Sequence, residues 1–140
     1  MKEIYSDKCF LNVYHNEEKK YIILKWKSFR ITLLEIQEMH QKILDYAIEN
    51  NCEIFIADTA ETKSMLNDEI IYWWRGVWIE ELIKKGIKMI ITIIPRDITA
   101  QLSTFEWQKG EYGKIIMSNV LSLEQAEMKI YEYYNNGTNK

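Results

Sequence analysis

The segment Lys84-Lys85-Gly86-Ile87-Lys88-Met89-Ile90-Ile91-Thr92-Ile93-Ile94-Pro95 decides the fold class. Gly86 is the left-handed cap expected where a helix stops. The apolar run behind it, ended by Pro95, reads as a strand buried on both faces. Glu53-Ile54-Phe55-Ile56-Ala57, ending at Asp58, is a second run of this kind.

Working outward, a helix from about Asn67-Asp68-Glu69 to Lys84-Lys85 joins these strands, its acidic start complementing the positive helix end. Upstream, Thr32-Leu33-Leu34-Glu35 is a capping box, with Ile31 and Ile36 placed for a hydrophobic staple. Ile36, Met39 or His40, Ile43 and Ala47 then recur at helical spacing to Asn50-Asn51. Residues 10–15 and Tyr21 to Trp26 flank polar Asn16-Glu17-Glu18-Lys19 and predict a β-hairpin. Downstream, Asp97 or Thr99 caps a short helix through Gln108, and Gly110 and Gly113 bracket a turn. Lys114 to Met117 is a last short strand, and Ser122-Leu123-Glu124-Gln125 caps a final helix through about Tyr134.

The predicted order is β-β-α-β-α-β-α-β-α. Alternating strands and helices imply right-handed crossovers and a mostly parallel sheet, with an antiparallel N-terminal strand and helices packed on the sheet. The 140 residues fit one α/β domain over 1–140, with about 135–140 as a frayed tail.

Composition narrows the function. Lys+Arg is 18 against Asp+Glu 21, for a net charge of -3, so a nucleic-acid partner is not expected. The N-terminus carries no apolar signal core and no run spans a bilayer, so the expected location is cytoplasmic. Cys9 and Cys52 form neither a disulfide framework nor a metal clip. Asn136-Gly137-Thr138 matches a glycosylation acceptor but reads as part of the tail.

Four features together resemble the STAS domain, the anti-sigma-factor antagonist fold. They are the hairpin ending in Trp26, the strand ending in Asp58, the Lys84-to-Ile87 exit into a strand ending Ile94-Pro95, and the Ser122-Leu123-Glu124-Gln125-Ala126 helix start. The chain is most similar to small free-standing bacterial STAS-like proteins of unassigned function. The resemblance implies a non-enzymatic, regulatory module that needs no cofactor or metal and binds a protein partner, or in some members a small ligand. It also implies a phosphorylation switch at the Asp58-Thr59 position. Here the family's Asp-Ser-Ser-Gly run is replaced by Asp58-Thr59-Ala60-Glu61, whose carboxylates would repel a phosphate on Thr59, so the switch is not expected to persist.

Two candidate regions follow. Ligands of open parallel sheets bind beyond the carboxyl ends of the strands, here marked by Trp26, Lys27, Asp58, Thr59, Pro95, Arg96, Met117 and Ser118. Arg96 and Lys27 could hold an anion there, or Arg96 could pair with Asp58 or Asp97. Trp107, near Phe105, could close a pocket for a small apolar molecule against the Trp-rich helix, or simply complete the core. On that helix Ile70, Ile71, Trp74, Trp78 and Leu82 form the core stripe, while Trp73 and Val77 fall on the opposite flank. That flank suggests a contact with another chain, including a second copy, or with a ligand, or else a cover for the chain's own Thr59–Leu66 loop. His15 and His40 have no catalytic partner at a diagnostic spacing, and His40 reads as a satisfied residue at the border of its helix's apolar stripe. Ser103 and Ser118 lack a nucleophile elbow, so no enzymatic activity is expected.

Overall fold

The computed structural model describes residues 1–7, 9–108 and 113–137. It is an α/β fold with a single six-stranded sheet in the order β1-β2-β3-β4-β5-β6. β1 (Lys2–Asp7), β2 (Leu11–Asn16) and β3 (Tyr21–Trp26) are antiparallel neighbours. β4 (Ile54–Asp58), β5 (Met89–Ile93) and β6 (Ile116–Val120) then add in parallel.

Because each parallel strand lies next to its predecessor, crossovers of one hand must all fall on one face. They do. α1 (Leu33–Glu49), the long helix α2 to α3 and α4 (Ile98–Gln108) pack on one face, with Leu24, Trp26, Phe55 and Ile90 beneath them. α2 is Asp68–Trp73, α3 is Ile79–Lys84, and a π-helical turn at Trp74–Trp78 joins them. α5 (Leu123–Glu132) covers the other face, where Ala126 and Ile130 meet Ile23, Ile54, Ile56, Ile91 and Val120. All five Trp belong to the three-helix face.

The local signals behave as their chemistry requires. Thr32 and Glu35 form the reciprocal capping box. Asn67 caps α2 through the Ile70 amide, and Asp97, not Thr99, accepts from the Ala100 amide. Gly86 has φ +91°, a conformation a side chain would strain. Ser122 accepts from the Gln125 amide, while the Gln125 side chain takes the Leu121 amide.

Three expectations need correction. The sheet has an added edge strand, β1. A bulge between Glu3 and Tyr5 puts both Ile4 and Tyr5 against the core, which erases the alternation that marks a strand. Its Lys, Glu and Asp residues are the charges that protect an edge. The last strand begins at Ile116 rather than Lys114, because pairing starts where the Ile116 amide donates to Lys88 O at 2.9 Å. As the other edge strand it carries exposed or half-exposed Met117, Ser118 and Asn119, so its apolar signal is weak. The C-terminal helix, expected to end at about Tyr134, continues as a π turn at Tyr133–Gly137. Gly110 and Thr138 lie outside the described residues.

A half-buried bond ties the hairpin to α5. The fully buried Tyr21 donates from its hydroxyl to Glu127 Oε2 at 2.6 Å, and Lys19 Nζ reaches Oε1 at 3.0 Å. Burial and the Glu127 bond hold the Tyr21 phenol up at about 12. Burial would raise the Glu127 carboxyl, but the bonds from Tyr21 and Lys19 and the lysine charge outweigh it and leave it lowered. A carboxylate depressed by folding stabilises above its unfolded pKa, and that stabilisation is lost as pH falls through the folded value. Tyr21→Phe should therefore cost about 2 kcal/mol at pH 7, and the difference from wild type should shrink below roughly pH 4, as measured by urea unfolding.

Candidate functional site: an aromatic cavity under the crossover helices

The site is an apolar cavity of about 70 Å³ between the sheet and its three-helix face. Its floor comes from alternate residues of adjacent strands, Leu24 and Trp26 of β3, Phe55 and Ala57 of β4, and Ile90 of β5. Ile36, His40 and Ile43 descend from α1 at helical spacing. Trp74, Trp78 and Leu82 come from the long helix, and Trp107 comes from α4. Phe29, Thr59 and Leu66 close the end beyond the strand termini.

Ala57 makes the room. It sits at mid-sheet between Leu24 and Thr92, yet stays partly accessible while its neighbour Ile56 is fully buried. Its methyl group cannot reach the helices above, as the side chains of Leu24 and Phe55 can. The surrounding loops are tied down. Ser64 Oγ accepts from the Phe29 amide at 2.9 Å, and fully buried Ser103 Oγ accepts from the Leu66 amide at 2.8 Å.

The π turn sets the tryptophan geometry. One extra residue in the turn brings the i and i+5 side chains onto one line, where an α-helix would align i and i+4. Trp73 accordingly stacks on Trp78, with ring centroids 5.3 Å apart. Trp74 turns instead to Trp107, 4.5 Å away. Trp73 therefore does not share an outward flank with Val77: it is half-buried on the core, while Val77 is exposed. Its rings meet His40 and Trp78.

His40 is the polar exception in this wall. Its ring lies 5.9 Å from Trp26, 5.9 Å from Trp73 and 5.6 Å from Trp78. It is buried, and its Nδ1 is the buried side-chain polar atom left without a hydrogen-bond partner among the described residues. The reading of a satisfied boundary histidine is thus corrected. Packing of the Trp-rich helix over α1 seals the border of the stripe. Burial pushes the imidazole down to about 4, partly opposed by the Ile36 backbone.

The remaining predicted residues divide. Thr59 and Trp107 line the cavity. Thr59 is buried and donates its hydroxyl to Ile93 O at 2.7 Å. Exposed Arg96 pairs with exposed Glu61 at 2.7 Å, not with Asp58 or Asp97. Asp58 accepts from the Ala60 amide, and Lys27 is exposed. Ser118 borders Met89, Lys129 and Tyr133 under α5, on the far side of the sheet. Phe105 points out from α4, away from Trp107. The lining residues missed from sequence are those whose signal equals ordinary core: Leu24, Phe29, Ala57 and Leu66.

No protein-family model matches this chain, and no curated protein or solved structure matches it. Among the described residues no helix is long and apolar enough to cross a membrane.

Leaving Nδ1 unpaired costs about 1–3 kcal/mol, so His40→Phe should raise stability at pH 7 by about 1 kcal/mol. The pH dependence has a definite sign. Between about pH 6.5 and the native value of about 4, the unfolded chain binds a proton that the native chain does not. Wild type should therefore lose up to about 3 kcal/mol relative to His40→Phe as pH falls through this window, read by urea unfolding at pH 7 and pH 4.5.

Proposed function

We propose that this chain binds a small apolar molecule in the cavity over Ala57. The observation that carries this reading is an aromatic-lined space beside a buried, unpartnered polar atom, His40 Nδ1. A cavity of about 70 Å³ exceeds the roughly 10–15 Å³ that one water needs. Water is nevertheless a poor occupant, since it needs two to four polar partners and the walls are almost wholly apolar. Ligand sites are commonly apolar spaces with a few placed polar groups.

Ala57→Leu tests this directly. Filling the floor should abolish uptake of small apolar compounds, at least tenfold in affinity, while leaving the melting temperature within a few degrees of wild type. Binding is read by calorimetry and by native mass spectrometry of protein from its own cells. Unchanged binding by a folded Ala57→Leu variant would place the ligand elsewhere.

A second reading is a non-enzymatic regulatory module of the STAS-like type, working through a protein partner in the cytoplasm of a bacterial cell. It is favoured by the exposed row Ile98, Leu102 and Phe105 on α4, which are 74%, 57% and 43% exposed at positions i, i+4 and i+7. The strand and helix order behind the STAS resemblance, with one added edge strand, supports it too. Leu102→Lys should then reduce self-association or partner capture several-fold and leave ligand uptake intact.

A further inference from the structure

Resting on the reading of the α4 row as a contact surface, we infer that this chain forms a two-fold dimer in which β6 pairs antiparallel with β6 of a second copy about Ser118. The open edge comes first. β6 ends the sheet, and among the described residues no strand lies beyond it. The Ile116 amide donates inward to Lys88 O at 2.9 Å, and Val120 O accepts inward from the Ile94 amide at 3.0 Å. Backbone groups alternate sides along a strand, so those of Met117 and Asn119 face outward. The next outward amide, of Leu121, is already taken by Gln125 Oε1 at 2.8 Å. Two donors and two acceptors on an edge are a template for one more extended strand.

Symmetry comes second. With the axis at Ser118, Met117 of each copy stands opposite Asn119 of the other, and the two exchange both N–H···O bonds. Every outward group of these residues is then paired. Ser118 falls at a position without such bonds, where facing side chains come closest. Ile116, 45% exposed, meets Val120 of the second copy on the α5 side of the sheet. β6 carries no charge to repel its own copy, whereas the opposite edge, β1, carries Lys2, Glu3 and Asp7. Beyond the strand the same register sets Lys114 of one chain opposite Ser122 of the other, two residues from Glu124.

Packing comes third, and it favours a second copy over a foreign strand. Gln108 of α4 bonds Thr92 of β5 at 3.2 Å and Asn119 of β6 at 2.7 Å, which places that end of α4 above the two strands. A helix centred there stands about one strand spacing, roughly 5 Å, from the axis. The two α4 helices then come about 10 Å apart, near an ordinary helix-packing distance. Ser103 and Trp107 turn to the inner side, where they meet Leu66 and Trp74. At about 100° per residue, Ile98 and Phe105 lie roughly 140–180° around the helix from those two. The exposed row is therefore aimed across the β6 edge, at the same row of the second copy.

The test is sedimentation velocity with wild type and Ser118→Lys, and oxidative cross-linking of Ser118→Cys and Ile116→Cys made in a Cys9→Ser background, since Cys9 is exposed. Wild type should sediment as a dimer at micromolar concentration. Ser118→Lys sets two ammonium groups face to face at the axis and should weaken association about tenfold or more. Mild oxidation should link Ser118→Cys chains in pairs, because the two Cα atoms stand about 4.5 Å apart. It should leave Ile116→Cys unlinked, its two copies being about 14 Å apart. In wild type, the Met117 and Asn119 amides should lose hydrogen-exchange protection on dilution, a readout that needs no variant. A wild type that stays monomeric overturns the inference; if Leu102→Lys still loses capture of another protein, the α4 reading stands without a second copy. A dimer that survives Ser118→Lys and does not link through Ser118→Cys uses a different face and overturns the inference as well.

Discussion

The order in which the strands join the sheet constrains everything else in this molecule. β3, β4, β5 and β6 add one beside the next in the same direction. Crossovers of a single hand then place α1, the α2–α3 helix and α4 together on one face. The opposite face receives α5. One layer must be broad and thick, and the other is served by a single helix.

That asymmetry explains the distribution of side chains. Three helices meeting over a twisted sheet leave wide, irregular gaps, which large flat rings fill better than branched aliphatics. All five Trp lie there, while the α5 face is packed by Ile, Val, Ala and Tyr. The packing is incomplete over Ala57, where a small residue faces the gap, and His40 is among the residues that line it. The space and the residue that carries an unpartnered buried atom, His40, thus both lie where the helices converge. The π turn contributes by re-aiming Trp73 and Trp74 around that point, a device often found at functional positions.

The fold was legible in the residues because its signals are local. Gly86, Asn67, Asp97 and the Thr32–Glu35 box act within a turn of where they stand, and the apolar runs of β4 and β5 state burial on two faces without reference to neighbours. The edge strands were harder to read. β1 breaks alternation with a bulge, and β6 carries polar residues because an edge needs them. The site was less legible still. Trp107 and Thr59 could be picked out, one as a lone aromatic at a helix end and the other at a strand end. Ala57 and Leu24 could not, since a residue beside a void has the same sequence signature as one beside a neighbour.

By itself, then, the sequence determined an α/β chain with a parallel core, the ends of its helices and the absence of a charged, phosphate-cradling motif. These depend on period, caps and composition, which act over a few residues. Tertiary structure alone decided which way Trp73 points, that Arg96 meets Glu61 rather than Asp58, and that His40 Nδ1 lies buried without a partner. A π turn shifts the facing of a helix by one residue with no clear mark in the letters. A cavity is the space that distant elements fail to fill, so it exists only once all of them have packed.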